Sequence, residues 1–164
     1  MTSVFRELCV ELARSLTPAL VSAGFAPPAD PFSPEHVRYD FRRPSSSGTH
    51  TFSVLFNKYR HPQFGVQLFI EPAAGLTALQ TRGGTLLLGG LSATPVHWPL
   101  GVRPFVAAPS SLQVLAFRRK ASPAVAVQSL LALLPEVEQW WLSQRSSKHI
   151  LTSRAEFKGG SRAV

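Results

Sequence analysis

The sequence predicts an α+β fold, in which a mostly antiparallel sheet of about five strands is covered on one face by N-terminal and C-terminal helices. Two observations carry this prediction. Residues 36–71 contain three runs in which apolar and polar side chains alternate with period two, as in strands with one buried face. Near both ends of the chain, apolar residues instead recur every three to four positions, which is typical of amphipathic helices. Together these patterns place helices on a sheet.

The first helix is predicted from one stripe of apolar residues: Phe5, Leu8, Cys9, Leu12 and Leu16. Charged side chains lie off this stripe, as expected for a helix with one buried side. Pro18 falls inside the pattern, where it either kinks the helix or restarts it with Thr17 as N-cap. Gly24 supplies the C-terminal stop.

The three strands can be aligned so that their apolar residues share one face. In the first hairpin, Phe41 faces Phe52, Tyr39 faces Val54, and Val37 faces Phe56. In the second hairpin, the predicted pairs are Phe56 with Val66, Val54 with Leu68, and Phe52 with Ile70. The opposite face is then mixed in character and carries Arg38, Asp40, Arg42, Ser53, Leu55, Asn57, Gln67, Phe69 and Glu71.

The pattern weakens between residues 72 and 120, where Gly and Pro recur. Short strands are predicted at 85–88 and 112–117, joined by a long loop at 89–111 that contains Trp98. Such a loop is either functional or packed down by its own aromatic side chains. The glycine pair at 83–84 either presents backbone N–H groups to an anion or forms a tight turn, and the turn is favoured.

A closing helix is predicted to begin at Ser122, which is a good N-cap before Pro123. Its apolar stripe comprises Val127, Leu130, Leu131, Leu134, Val137 and Trp141. Pro135 either splits this helix or bends it. We therefore expect one α+β domain over residues 1–150 and a flexible C-terminal tail over residues 151–164.

The chain is strongly basic, with 17 Lys and Arg against 9 Asp and Glu and a net charge of +8. This imbalance favours anionic partners such as nucleic acid, an acidic protein or a membrane surface. The basic residues are nevertheless dispersed, and their only clusters are at 42–43 and 118–120. The N-terminal segment lacks a signal-peptide pattern and no run approaches the roughly 18 apolar residues of a membrane span, so a cytoplasmic protein is expected.

The residue types that perform chemistry are few and scattered. The five histidines form no metal-binding spacing, and Cys9, the single cysteine, is expected to be buried as a small hydrophobe. Asp40 lies between Arg38 and Arg42 on the outer face, where a solvated ion pair explains it better than a catalytic carboxylate. No nucleotide-binding or nucleophile motif is present. The sequence therefore indicates no metal and no cofactor, and it disfavours an enzyme.

Trp140 and Trp141 are adjacent on the closing helix. Successive residues of a helix are about 100° apart around its axis, so only one of the two can point at the centre of the core. The other either covers the edge of the sheet or lies exposed as an anchor for a partner. Packing of this tryptophan against the loop that contains Trp98 is the preferred interpretation.

The order of elements carries a family resemblance. A helix at 5–20 ends in the pair Gly24-Phe25, and aromatic-rich strands at 37–41 and 52–56 follow. A strand at 64–70 and a long helix at 122–141 come next. This arrangement resembles a bacterial family of small domains, domain of unknown function forty-three-oh-four. The resemblance implies no catalytic residues and a binding role, since some relatives look like immunity or interaction proteins.

Two functions remain open from the sequence. The first is a non-enzymatic cytoplasmic module that binds another protein, an acidic one in particular, through the 89–111 loop and the outer sheet face. The second is a nucleic-acid-binding accessory protein that uses its dispersed arginines. The candidate binding residues for the two functions are Arg38, Arg42, Arg60, Trp98, Arg118, Arg119, Lys120 and Trp140.

Overall fold

The computed structural model describes residues 3–46, 48–56, 59–71, 82–86, 105–106 and 122–154. The helices are α1 (Ser3–Glu11), α2 (Thr17–Ser22), α3 (Pro123–Leu131) and α4 (Leu134–Ser143). The strands are β1 (Arg38–Ser45), β2 (Gly48–Phe56), β3 (Gln63–Glu71), β4 (Arg82–Leu86), β5 (Phe105–Val106) and β6 (Ile150–Arg154). Helices and an antiparallel sheet together confirm the α+β class.

The helical backbone continues through Pro18 without a break, and the turn before it is wider than that of an α-helix. Residues Leu12–Leu16 form a π-helical turn between α1 and α2. Proline has no backbone N–H and its ring clashes with the carbonyl one turn earlier, and a π turn relieves both problems. Thr17 keeps helical dihedral angles (φ −56°, ψ −52°), so it is not the predicted N-cap.

The end of α2 is a Schellman motif centred on Gly24. The Phe25 amide donates to the Leu20 carbonyl at 3.0 Å, and the Gly24 amide donates to the Val21 carbonyl at 2.9 Å. Gly24 has φ +86°, a left-handed conformation that glycine adopts without a steric penalty. The predicted stop at Gly24 is confirmed, and Phe25 is turned into the core.

The sheet has the strand order β1-β2-β3-β4-β6, with β5 paired to β3, and every pairing is antiparallel. Three long strands form its body and three short strands join them, an arrangement that differs from the expected count of about five.

Residues 83–84 lie inside β4, so neither predicted form of a glycine turn occurs there. Residues 151–154, expected in a flexible tail, belong to β6. The predicted strand at 112–117 and most of the 89–111 loop lie outside the described residues.

The register of the first hairpin agrees with the prediction, since Phe41 pairs with Phe52 and Tyr39 with Val54. The predicted register of the second hairpin is wrong by two residues, because Phe56 pairs with Phe64. The two-residue shift leaves the same side chains on each face, and it gives Phe64 a fully buried position. Val37 precedes β1 and is 44% exposed, which corrects its predicted place on the apolar face.

One hydrophobic core lies between the sheet and both helical regions. The buried face carries Tyr39, Phe41, Phe52, Phe56 and Ile70, as predicted. The closing helix is split into α3 and α4, and the Ser122 hydroxyl caps α3 by accepting from the amide of Val125 at 3.2 Å. Both Trp140 and Trp141 are buried, so neither lies exposed as an anchor, and Trp98, against which one of them is expected to pack, lies outside the described residues.

The outer sheet face is less open than the alternation suggests. Ser53 and Thr51 point to this face and are nevertheless buried. Ser53 is covered by the side chains of Arg38 and Asp40, which both lie within hydrogen-bonding distance of its hydroxyl. A polar side chain on a strand is therefore not exposed merely because it faces away from the core.

Candidate functional site

The first candidate site lies where α1 meets the turn between β2 and β3. The ring of Phe5 packs edge-to-face on Phe56 with the ring centroids 5.1 Å apart. This contact anchors the start of α1 at the end of β2, and it leaves Arg6 exposed beside the turn that carries Arg60. Arg6 points outward because it lies off the apolar stripe of α1.

A second wall is supplied by the turn at residues 32–36. The Tyr39 hydroxyl contacts the carbonyl oxygens of Ser33 and His36, the latter at 3.1 Å, and fixes this turn over the edge of β1. Phe32 adopts φ +66° and is buried, with its ring 5.0 Å from the ring of Tyr39. The side chain of Phe32 thus fixes the inner side of the turn, and Pro34 follows on the outer side.

A shallow, open cleft of about 470 Å³ lies between these walls and is lined by Arg6, Pro34, Glu35 and Arg60. We call it the arginine cleft. Arg60 is half-buried and has φ +55°. One of its guanidinium nitrogens donates to the Glu35 backbone carbonyl at 3.0 Å. The carbonyl holds the guanidinium in place without neutralising its charge.

Two ionisable groups behind the cleft are uncharged at neutral pH. Burial raises the pKa of the Cys9 thiol to about 11 and that of the Tyr39 hydroxyl to about 12, and the nearby positive charge of Arg60 only partly opposes these shifts. Cys9 is buried, as predicted. Neither group therefore supplies a negative charge that would cancel the charge of Arg60.

The chain next to Arg60 presents aromatic side chains to the surface. Tyr59 is 55% exposed, and its ring packs edge-to-face on that of His61 with centroids 6.2 Å apart. Tyrosine and arginine are the residue types most enriched at the energetic centres of protein interfaces. Tyr59 and His61 thus flank Arg60 with two exposed rings.

The outer face of β1 forms the second candidate site, which we call the arginine face (Arg38, Arg42 and their neighbours on the sheet). The Arg38 guanidinium donates to Asp40 at 2.8 Å and to Ser53 at 3.3 Å, and it lies 5.6 Å from the ring centroid of Phe69. Asp40 also accepts from Ser53 at 2.6 Å. Arg38 and Asp40 thus satisfy one another as the predicted ion pair, while Arg42 remains exposed.

A third cluster, on the buried face, joins the first hairpin to the last helix. Arg43 donates to both carboxylate oxygens of Glu138, at 3.1 and 2.9 Å, and to the carbonyl of Ala23 at 2.7 Å. Its guanidinium lies 4.4 Å from the centroid of the Phe25 ring. We call this cluster the Arg43 junction.

Within the Arg43 junction, His50 and Ser45 resemble a base and a nucleophile, but their hydrogen bonds run the wrong way. Arg43 faces His50 Nδ1 at 3.4 Å and can only donate, which assigns the proton to Nε2. Nε2 then donates to Ser45 Oγ at 3.0 Å, and Ser45 Oγ donates to the Gly48 carbonyl at 2.9 Å. The imidazole is therefore not a base towards Ser45.

A further polar cluster joins α4 to the segment that follows it. Glu136 accepts from His149 Nδ1 at 2.7 Å, from the His149 amide at 3.0 Å and from the Ser147 hydroxyl. Burial would raise the pKa of Glu136, but the hydrogen bonds from Ser147 and His149 outweigh it and the pKa is lowered. This carboxylate orders the 144–149 segment that leads into β6.

The predicted binding residues are separated by the structure. Arg60 lies in the arginine cleft, and Arg38 and Arg42 lie on the arginine face. Trp140 is 1% exposed within the core, which corrects its predicted role as a surface anchor. The remaining predicted residues lie outside the described part of the chain: Trp98, Arg118, Arg119 and Lys120. The sequence does not group Arg6 and Glu35 with Arg60, because only the fold brings the three residues together.

The described residues define an α+β protein with an antiparallel sheet and an arginine-lined cleft. None of the helices in this part of the chain is long and apolar enough to cross a membrane. Over the same residues, His, Cys, Asp and Glu side chains form no group of three that could hold a metal ion. No family model matches this chain, and no curated protein or solved structure matches it either.

Proposed function

We propose that this protein is a non-enzymatic module that binds an acidic partner protein. The observation that carries the proposal is that Arg6 and Arg60 line one concave surface and that neither forms an ion pair within the described part of the chain. Arginine in such a position is suited to bidentate recognition of a carboxylate.

The distribution of ion pairs bears on the proposal. Within the described residues, four carboxylates are engaged by a cationic side chain or an imidazole: Glu11 with Arg14, Asp40 with Arg38, Glu138 with Arg43, and Glu136 with His149. In that same part of the chain, Arg6, Arg42 and Arg60 form no ion pair. Four acids of the described residues likewise form no ion pair: Glu7, Asp30, Glu35 and Glu71. The proposal is therefore supported by the position of Arg6 and Arg60 in the cleft rather than by an excess of unpaired positive charge.

The chemistry of the cleft favours a protein over nucleic acid. Glu35 lines the cleft together with Arg6 and Arg60, so the site is mixed in charge. A closely spaced row of phosphates would be repelled by that carboxylate, whereas a protein can place one acidic side chain between the arginines. Single-stranded nucleic acid also needs exposed aromatic side chains for stacking. Phe69 on the outer sheet face is half-buried next to Arg38, so the arginine face does not offer one, and the exposed Tyr59 lies beside the cleft instead.

The polar clusters that could suggest an enzyme serve the fold. His50 and Ser45 form a directional chain of hydrogen bonds that begins at Arg43 and ends at a backbone carbonyl. Asp40 is engaged by both Arg38 and Ser53. These side chains are engaged in contacts that hold strands and helices together. Because none of these side chains is presented to a substrate, they favour a binding role over catalysis.

The proposal is tested by calorimetric titration with three probes: a hexaglutamate peptide, a hexaglutamine peptide and a single-stranded oligonucleotide of 12 nucleotides. We expect the protein to bind hexaglutamate, to bind hexaglutamine at least about tenfold more weakly, and to lose affinity as salt is raised. Tight binding of the oligonucleotide with a steep salt dependence, and none of hexaglutamate, would establish the nucleic-acid alternative and overturn the proposal.

A further inference from the structure

We infer that the arginine cleft is a recognition pocket for a single carboxylate side chain of the partner, held between Arg6 and Arg60. This inference rests on the proposed function, but it is narrower, because an acidic protein could also bind through the arginine face alone. Three features of the cleft carry it: the donors that remain available, the backbone that positions them, and the opposing charge of Glu35.

The donors are suited to a carboxylate. A guanidinium has five N–H groups in a planar fork, and one nitrogen of Arg60 is engaged by the Glu35 carbonyl. That contact orients the fork without satisfying its charge. Arg6 supplies a second guanidinium from α1. A carboxylate placed between them would accept charge-assisted hydrogen bonds from both walls of the cleft.

The backbone on both sides of the cleft is held in a conformation that side chains rarely adopt. Phe32 and Arg60 have φ +66° and +55°. A left-handed conformation is unfavourable for a residue other than glycine. Strained backbone of this kind is found where the surrounding structure fixes a side chain for a purpose. Arg60 adopts this conformation at the position from which its guanidinium donates to the Glu35 carbonyl.

Glu35 gives the pocket its selectivity. Glu35 lines the cleft and is exposed, so the lining residues carry two positive charges and one negative charge. An isolated acidic side chain can approach the arginines from the side away from Glu35, whereas a dense polyanion cannot avoid it. The cleft therefore selects for a single carboxylate rather than for total negative charge.

The experiment compares matched variants in titrations with a hexapeptide that carries one glutamate among glycines and serines, which presents the isolated carboxylate for which the cleft is argued to select. Arg60→Asn removes the guanidinium but keeps a residue that tolerates the left-handed conformation. It should weaken binding about tenfold, and Arg6→Gln about threefold, as expected for lost charge-assisted hydrogen bonds at a partly exposed site. Glu35→Gln should strengthen binding about twofold to threefold because it removes a like charge. This increase distinguishes recognition from a merely structural role.

The control is Arg42→Gln, which removes a charge of the same sign from the arginine face, and circular dichroism confirms that each variant is folded. If Arg42→Gln weakens binding as much as Arg60→Asn does, and Glu35→Gln has no effect, the pocket is disproved while the binding of acidic proteins stands. If the unmodified protein binds hexaglutamate but not the single-glutamate peptide, the pocket is disproved while the binding of acidic proteins stands, and if it binds neither, both proposals fail. A selective loss at Arg6 and Arg60, with a gain at Glu35, establishes the pocket.

Discussion

The guanidinium of Arg43 on β1 and the carboxylate of Glu138 on α4 form a two-hydrogen-bond ion pair across 95 residues of sequence. The same guanidinium also donates a hydrogen bond to the Ala23 carbonyl at the end of α2 and packs on the ring of Phe25. One side chain thus joins the N-terminal helix, the sheet and the C-terminal helix. The junction fixes how the two helical regions lie on one face of the sheet.

We predict that Arg43→Ala lowers the free energy of unfolding by about 2–3 kcal/mol, because it removes hydrogen bonds from a partly buried charge and leaves Glu138 without its partner. Glu138→Gln should cost less, about 1 kcal/mol, since Glu138 is half-exposed and the remaining amide still accepts from Arg43. Urea denaturation followed by tryptophan fluorescence measures both values.

The matched control for this prediction is Arg42→Ala, one residue away on the outer face. Because Arg42 is exposed and forms no ion pair in the described part of the chain, its removal should change the free energy of unfolding by less than about 0.5 kcal/mol. Equal losses for Arg42→Ala and Arg43→Ala would mean that the Arg43 junction contributes nothing specific to stability.

His50 should make the stability of the protein depend on pH. Burial, followed by the adjacent charge of Arg43, lowers the pKa of His50 below its ordinary value of 6.5, and Glu138 opposes this only in part. The unfolded chain therefore binds a proton below pH 6.5 that the folded chain does not bind. The free energy of unfolding should fall as the pH is lowered through 6.5, and this fall should stop below the lowered pKa.

The variant His50→Phe tests this dependence, because phenylalanine does not titrate and can retain the stacking on Trp141, whose ring centroid lies 4.6 Å from that of His50. Stability is measured by urea denaturation at intervals between pH 7.5 and pH 5. The difference between the two proteins should shrink as the pH falls. A difference that is constant across this range would show that His50 has the same pKa in both states.

Much of the fold follows from the sequence because alternation and turn residues are local. The period-two pattern fixes which side chains of β1 and β2 face inward, and the short first hairpin leaves only one register. The second register was missed because a shift of two residues preserves both faces, so hydrophobic pattern cannot distinguish pairing Phe56 with Val66 from pairing it with Phe64. The choice between them is made by the packing of Phe64 in the core.

The sites were harder to predict because they join residues distant in sequence. One signal for the Arg43 junction was nevertheless present. Arg43 continues the inward-facing positions of β1, His50 continues those of β2, and the two are cross-strand partners. Two polar residues paired on the apolar face imply a buried polar contact. No comparable signal brings Arg6 to Arg60, since that approach depends on how α1 packs against Phe56.

Glu136 is predicted to stabilise the C-terminal segment at pH values above the ordinary pKa of its carboxyl group, 4.5. Hydrogen bonds from Ser147 and His149 lower its pKa below 4.5 despite the opposing effect of burial, so the stabilisation is present above pH 4.5 and is lost as the pH falls below it. Glu136→Gln should cost about 1–2 kcal/mol at neutral pH. In this variant, the backbone amides of residues 147–150 should exchange their hydrogens faster than in the unmodified protein. Glu7→Gln, an exposed acid on α1, serves as control and should leave this segment protected.

Gly24 is predicted to resist substitution for a reason that involves the Arg43 junction. Its φ of +86° is unfavourable for an L side chain, and a Cβ atom there would lie 3.4 Å from Cδ of Arg43. Gly24→Ala should therefore lower the free energy of unfolding by about 1–2 kcal/mol, whereas Gly24→Asn should lose less because asparagine tolerates this conformation. Thermal unfolding of the two variants measures the difference.

Because the new Cβ would touch the Arg43 side chain, Gly24→Ala combined with Arg43→Ala should cost less than the sum of the two single losses. Strict additivity would show that the helix end and the junction are independent.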